Sequence, residues 1–99
     1  MVVVLAKIPV KPERQAEFIA MAQPVIAATR KEKGNISYTL YKSTENEYDL
    51  IYVEEWESKS DLALHLKSRH LQKFREARAG LMAGETSAKV YEIAKTAGR

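Results

Sequence analysis

The chain predicts an α+β fold, a single antiparallel sheet with its helices on one face in the order β-α-β-β-α-(α)-β, the ferredoxin-like arrangement. Three features lead there. Two alternating runs, residues 35–43 and 48–56, flank Thr44-Glu-Asn-Glu47 and read as a hairpin. Helix signatures sit on either side of it, one opening at Pro12 and one capped at Ser58. Apolar strands open and close the chain.

In the first strand Val2, Val4, Ala6, Ile8 and Val10 fall on one side, and Val3, Leu5 and Lys7 on the other. A strand apolar on both faces has something packed on each. Pro12 suits the first helical position, with Glu13 in the first turn, and Phe18, Met21, Ala22, Val25 and Ala28 recur at helical spacing. Gly34 closes that helix, and Pro24 is expected to bend it.

A hairpin loop of two or four residues pairs Ser43 with Tyr48, Tyr41 with Leu50, Thr39 with Tyr52, Ser37 with Glu54 and Asn35 with Trp56. One face is then apolar: Ile36, Tyr38, Leu40, Ile51 and Val53. The other is rich in hydrogen-bonding groups: Asn35, Ser37, Thr39, Tyr41, Tyr52, Glu54 and Trp56. An odd loop length would scramble this pairing.

Ser58 caps the next helix with Asp61 three residues on, and Leu62, His65, Leu66 and Arg69 share one stripe of it. After a break near Ser68, Leu71, Phe74, Ala77 and Leu81 form a further short helix. Residues 86–93 are the last strand, and 94–99 are expected to be a loose tail.

Ninety-nine residues make one domain, 1–99, and a chain this short buries only about 60–65% of its unfolded surface. Oligomerisation is the usual remedy. The apolar hairpin face plus one side of the first strand would overexpose a monomer, so two sheets are expected to pack face to face as a homodimer. Without cysteine there is no disulfide framework and no thiolate, and Lys7 and Pro9 end the first apolar run far short of a membrane span. A cytoplasmic protein away from membranes is expected. The net charge of +3 is mild and acidic residues are spread throughout, which argues against nucleic acid as a partner. Lys67, Arg69, Lys73, Arg75 and Arg78 form the densest basic stretch, read as a solvated helix face that could attract an anion.

With the apolar face against a partner, the polar hairpin face lies under the helices and His65 comes down onto it. A carboxyl group there, Glu54, is costly unless hydrogen-bonded, and burial would raise its pKa. His65 is either a satisfied core histidine or an acid/base group, and Trp56 either ordinary core or a pocket wall. His65 and His70 are five apart, not the three or four that align two ligands on one helix face, so no metal site is expected. No phosphate loop, dinucleotide fingerprint or nucleophile elbow is present.

Gly34-Asn-Ile-Ser-Tyr-Thr-Leu-Tyr-Lys-Ser43, Tyr52-Val-Glu-Glu-Trp-Glu-Ser58, and Asp61-Leu-Ala-Leu-His65 with Ser68-Arg-His70 and Phe74 resemble the antibiotic biosynthesis monooxygenase family, most of all its small quinol monooxygenase branch. The resemblance runs through nearly the whole chain. It implies a dimeric α+β barrel with a pocket in each protomer, oxidising an electron-rich, quinol-like aromatic with molecular oxygen and without flavin, haem or metal. By matched position it implies that His65 takes or relays the hydroxyl proton and Trp56 walls the aromatic substrate. Asn35 would bond a substrate oxygen, Glu54 would orient His65 or a tyrosine, and Tyr41, Tyr52 and His70 would line the pocket. The family's range leaves two other readings open, an isomerase of a small carbonyl compound in the same pocket and a non-catalytic small-molecule-binding dimer. The first strand lacks the asparagine that the haem-degrading branch uses, which lowers that reading.

Overall fold

A computed structural model describes residues 1–98. Strand β1 (Val2–Pro9) leads through a 3-10 turn at Pro12–Arg14 into helix α1 (Gln15–Arg30), followed by β2 (Asn35–Lys42), β3 (Asp49–Trp56), α2 (Lys59–Leu66), α3 (Arg69–Arg78) and β4 (Ser87–Glu92). The strands form one antiparallel sheet in the order β2-β3-β1-β4, the ferredoxin-like topology that the sequence predicts. No helix among the described residues is long and apolar enough to cross a membrane.

The core lies between the sheet and the helices. Val2, Val4, Ala6, Ile8 and Val10 are buried beneath them, as β1's alternation requires, and meet Phe18, Ala22, Val25 and Ile26 of α1. Phe18 packs edge-on against Phe74 of α3, ring centroids 5.4 Å apart, and so ties the two helices together. Helix α1 continues through Pro24 without interruption.

Gly34 reconnects α1 to the sheet with a φ of +82°, which glycine alone adopts cheaply. A Cβ there would lie 2.2 Å from the Asp61 carboxyl carbon, so the same residue lets the start of α2 approach the start of β2. The Ser58 hydroxyl accepts from the Asp61 backbone N–H at 3.1 Å and donates to the Asp61 carboxylate at 2.8 Å. This completes the expected cap by a reciprocal pair of bonds.

The hairpin corrects the expected pairing. Ser43 N–H donates to the Asp49 carbonyl, leaving the odd number of residues 44–48 in the loop, and Tyr41 pairs with Ile51, Thr39 with Val53 and Ser37 with Glu55. A bulge between Asn35 and Ser37 restores the Asn35–Trp56 pair. Because strand side chains alternate, this one-residue shift turns β2 over relative to β3. Tyr38 and Leu40 join Tyr52, Glu54 and Trp56 beneath the helices, while Ser37, Thr39 and Tyr41 move to the open face. That open face therefore carries Val3, Leu5, Tyr41, Ile51, Val53 and Tyr91 and loses Tyr38 and Leu40.

Candidate functional site

A cleft of about 110 Å³ opens between the sheet and helices α2 and α3. Its floor carries Val4, Ala6, Tyr38, Tyr52 and Glu54; Leu62, His65, Leu71 and Phe74 roof it, and Arg75 and Arg78 of α3 also line it. Apolar and aromatic walls with a few polar groups are the usual character of a small-molecule site.

His65 comes from the last turn of α2, held in place by the Ser58 cap and the Gly34–Asp61 contact. It is 2% exposed and wedged between Trp56 and Tyr38, at ring-centroid distances of 4.8 and 5.4 Å. Its Nδ1 lies 2.7 Å from Oε2 of Glu32, in the turn that follows α1. An ionised carboxylate only accepts, so the proton of the neutral ring sits on Nδ1 and the lone pair on Nε2. Nε2 has no protein partner among the described residues, and His65 lines the cleft. Burial pulls the His65 pKa down, an effect that Glu32 only partly offsets.

Glu54 is the second titratable group. Desolvation raises its pKa to about 7, against the lowering effects of the Trp56 hydrogen bond and of Arg75. The bond runs from the indole Nε1–H to Oε1 of Glu54 at 3.0 Å. Trp56 is wholly buried and does not line the cleft, so its ring backs His65 and its N–H anchors Glu54. Tyr38 and Tyr52 stack at 4.9 Å, and burial pushes both hydroxyls upward, which keeps them as donors. The Tyr52 hydroxyl is buried with no hydrogen-bond partner.

Of the residues singled out from sequence, His65, Glu54 and Tyr52 meet at the cleft. Asn35 does not line it: its amide donates to the backbone carbonyls of Ser37 and Glu55 at 3.1 and 3.4 Å, filling the gap that the bulge opens. Tyr41 is exposed on the opposite sheet face, a correction that follows from the shifted register. Glu54 bonds Trp56, and it is Glu32 that holds His65. Nothing in the sequence pattern marks Glu32, which sits between two lysines like any solvated charge.

His70 is half-buried behind this pair, with Nε2 3.2 Å from the same Glu32 oxygen and 3.4 Å from the hydroxyls of Thr29 and Ser68. The spacing argument assumed one helix, but the break between α2 and α3 turns the chain and brings both imidazoles to one carboxylate. The donor atoms of Glu32, His65 and His70 lie within 4.8 Å of one another, a set that could hold a divalent ion and that is satisfied here by its own hydrogen bonds.

Residues 1–77 match the family model described as antibiotic biosynthesis monooxygenase. An uncharacterised protein of Synechocystis, sll1783, is 34% identical over 96% of this chain, which spans 65% of that protein's length. The Bacillus subtilis protein YcnE, provisionally named a monooxygenase, is 34% identical over 75% of this chain and 78% of its own. A conserved protein of Methanosarcina mazei superposes with a TM-score of 0.86 at 33% identity, covering 91% of this chain and 89% of that one. Family model, relatives and topology agree that the chain belongs to the antibiotic biosynthesis monooxygenase family.

Proposed function

We propose that the protein is a cofactor-independent monooxygenase that oxidises a small electron-rich dihydroxyaromatic with molecular oxygen. The observation that carries this reading is the Glu32–His65 pair, a carboxylate-oriented imidazole whose free Nε2 borders an aromatic-walled cleft. Family membership supports the reaction class.

Nε2 takes the proton of a ring hydroxyl, and Glu32 steadies the imidazolium that forms. The resulting substrate anion is itself the reductant for oxygen, so the chain has to supply a base, a dry pocket and hydrogen bonds to the anion. One oxygen atom enters the ring, the other leaves as water, and the ring emerges as a quinone. Tyr38 and Tyr52, kept protonated by burial, are the donors nearest the developing charge. Trp56 fixes Glu54 and backs His65. His70 holds the far side of Glu32. The dimer expected through the open sheet face is part of the proposal, with Leu5, Ile51 and Val53 at its centre.

The test is dissolved-oxygen consumption by chelator-treated protein with a panel of hydroquinones and catechols. Uptake well above autoxidation, lost in His65→Ala with the fold intact, supports the reading. No uptake with any member contradicts it. One observation favours a second reading: a Glu54 carboxyl that gains and loses its proton near pH 7, in the same cleft as His65, also suits isomerisation of a small carbonyl compound, which would proceed without oxygen.

A further inference from the structure

Arg78 gives the cleft a cation that has no carboxylate partner among the described residues. Arg78 is partly buried, with its guanidinium carbon 5.5 Å from the centroid of the Phe74 ring, and one of its nitrogens donates to the Thr86 hydroxyl at 3.4 Å. Among the described residues no carboxylate pairs with Arg78, whereas the exposed Arg75 acts on Glu54. Tyr52 is 4% exposed and lines the same cleft with a hydroxyl that has no partner. A desolvated cation and an orphaned buried donor each cost stability, and an anionic oxygen between them would satisfy both.

His65 packs on Tyr38, and the spacing along the sheet from the Tyr38 row to the Tyr52 row gives the ligand its length. Glu54, Tyr38 and Val4 share one cross-strand row; Tyr52, Leu40 and Ala6 form the next, two residues along β3. Two residues of strand span roughly 7 Å. That is about the reach of a six-membered ring with substituents at opposite ends. The cleft volume of about 110 Å³ is of the order of the roughly 150 Å³ apolar cavity that accepts benzene, so it suits one ring and not a fused system.

We propose that Tyr52 and Arg78 form a carboxylate subsite and that the ligand is a monocyclic aromatic acid, with its carboxylate at Arg78 and an acidic hydroxyl at His65. A planar carboxylate matches the guanidinium fork, which a single charged oxygen on the ring would not. The orientation rests on the reading of His65 as proton acceptor. The subsite itself does not, because it is a claim about binding.

The experiment is equilibrium binding by calorimetry of 4-hydroxybenzoate, of hydroquinone, in which a neutral hydroxyl replaces the carboxylate, and of 4-hydroxyphenyl phosphate. The acid is expected to bind at least tenfold tighter than hydroquinone. Arg78→Met and Tyr52→Phe are each expected to weaken the acid at least fivefold more than they weaken hydroquinone. Arg78→Lys, which keeps the charge and loses the fork, should fall between wild type and Arg78→Met; circular dichroism of each variant establishes that it is folded. Equal affinity for acid and hydroquinone overturns the subsite, as does a preference that survives Arg78→Met in a folded protein or no measurable binding of the acid. Tighter binding of the phosphate than of the acid overturns the carboxylate assignment. Preferential binding of the acid together with no oxygen uptake from any hydroquinone or catechol of the panel would sink the oxygenase reading and leave the subsite standing.

Discussion

Glu32 and His65 meet at 2.7 Å although thirty-three residues separate them, and this contact fixes which imidazole nitrogen faces the cleft. The carboxylate arrives on the turn after α1 and the imidazole on the last turn of α2. Gly34 and the Ser58 cap hold the start of α2 against the turn after α1. The fold thereby converts an unremarkable surface-type glutamate into a group that orients a base.

His65→Ala should lower kcat/KM by about 10²- to 10⁴-fold, the range that a positioned general base contributes. His70→Ala should cost less, because His70 acts only through Glu32. Steady-state kinetics of folded variants separates the two.

Glu54 makes stability pH-dependent in a direction that can be worked out. Its folded pKa is raised from 4.5 to about 7, so the stability tied to its neutral form is fully present below 4.5 and is lost as pH rises through about 7. At about 1.4 kcal/mol per pKa unit, the loss amounts to roughly 3 kcal/mol. Glu54→Gln keeps an acceptor for Trp56 and cannot ionise, so it should stabilise the protein at pH 8 and change little at pH 4. Denaturant unfolding at both values measures the difference; equal effects at the two would refute the raised pKa.

Gly34→Ala should destabilise the fold by at least about 1–2 kcal/mol for its left-handed backbone alone. Displacing the Asp61 carboxyl adds to this by loosening the α2 cap, a contact worth about 1 kcal/mol. Urea unfolding reads the total, and a change below about 0.5 kcal/mol would mean that neither constraint is real.

The expected dimer should appear in light scattering at twice the 11.2 kDa chain mass. Leu5→Glu with Val53→Glu places charges at the centre of the open face and should return the monomer. An unchanged dimer would put the interface elsewhere.

The element order was legible because it rests on long-range features of the sequence: β1's alternation, the helix spacing through Phe18 and Val25, and the Ser58 cap. The hairpin register was not. Residues 35–43 alternate plausibly in either phase, and the choice depends on a loop of odd length and a bulge beside Ile36, both local backbone events with weak sequence marks. One signal was available: burying Tyr38 and Leu40 under the helices is favoured over burying Ser37, Thr39 and Tyr41. His65, Glu54 and Tyr52 were legible because they sit on regular elements at recognisable positions. Glu32 was not, since its role exists only once α1 and α2 are packed, and Arg75 and Arg78 looked like the rest of a basic helix face.

The measurement that bears most directly on the Glu32–His65 pair is the pH profile of kcat/KM for oxygen uptake in wild type, Glu32→Gln and His65→Ala. In wild type the acid limb should fall below pH 6.5, since burial lowers the His65 pKa. Glu32 pulls that pKa back up, so Glu32→Gln should lower the plateau rate while moving the acid limb to still lower pH, and His65→Ala should abolish the limb. A wild-type limb that persists in His65→Ala, or a Glu32→Gln profile identical to wild type, would show that this pair is not the base.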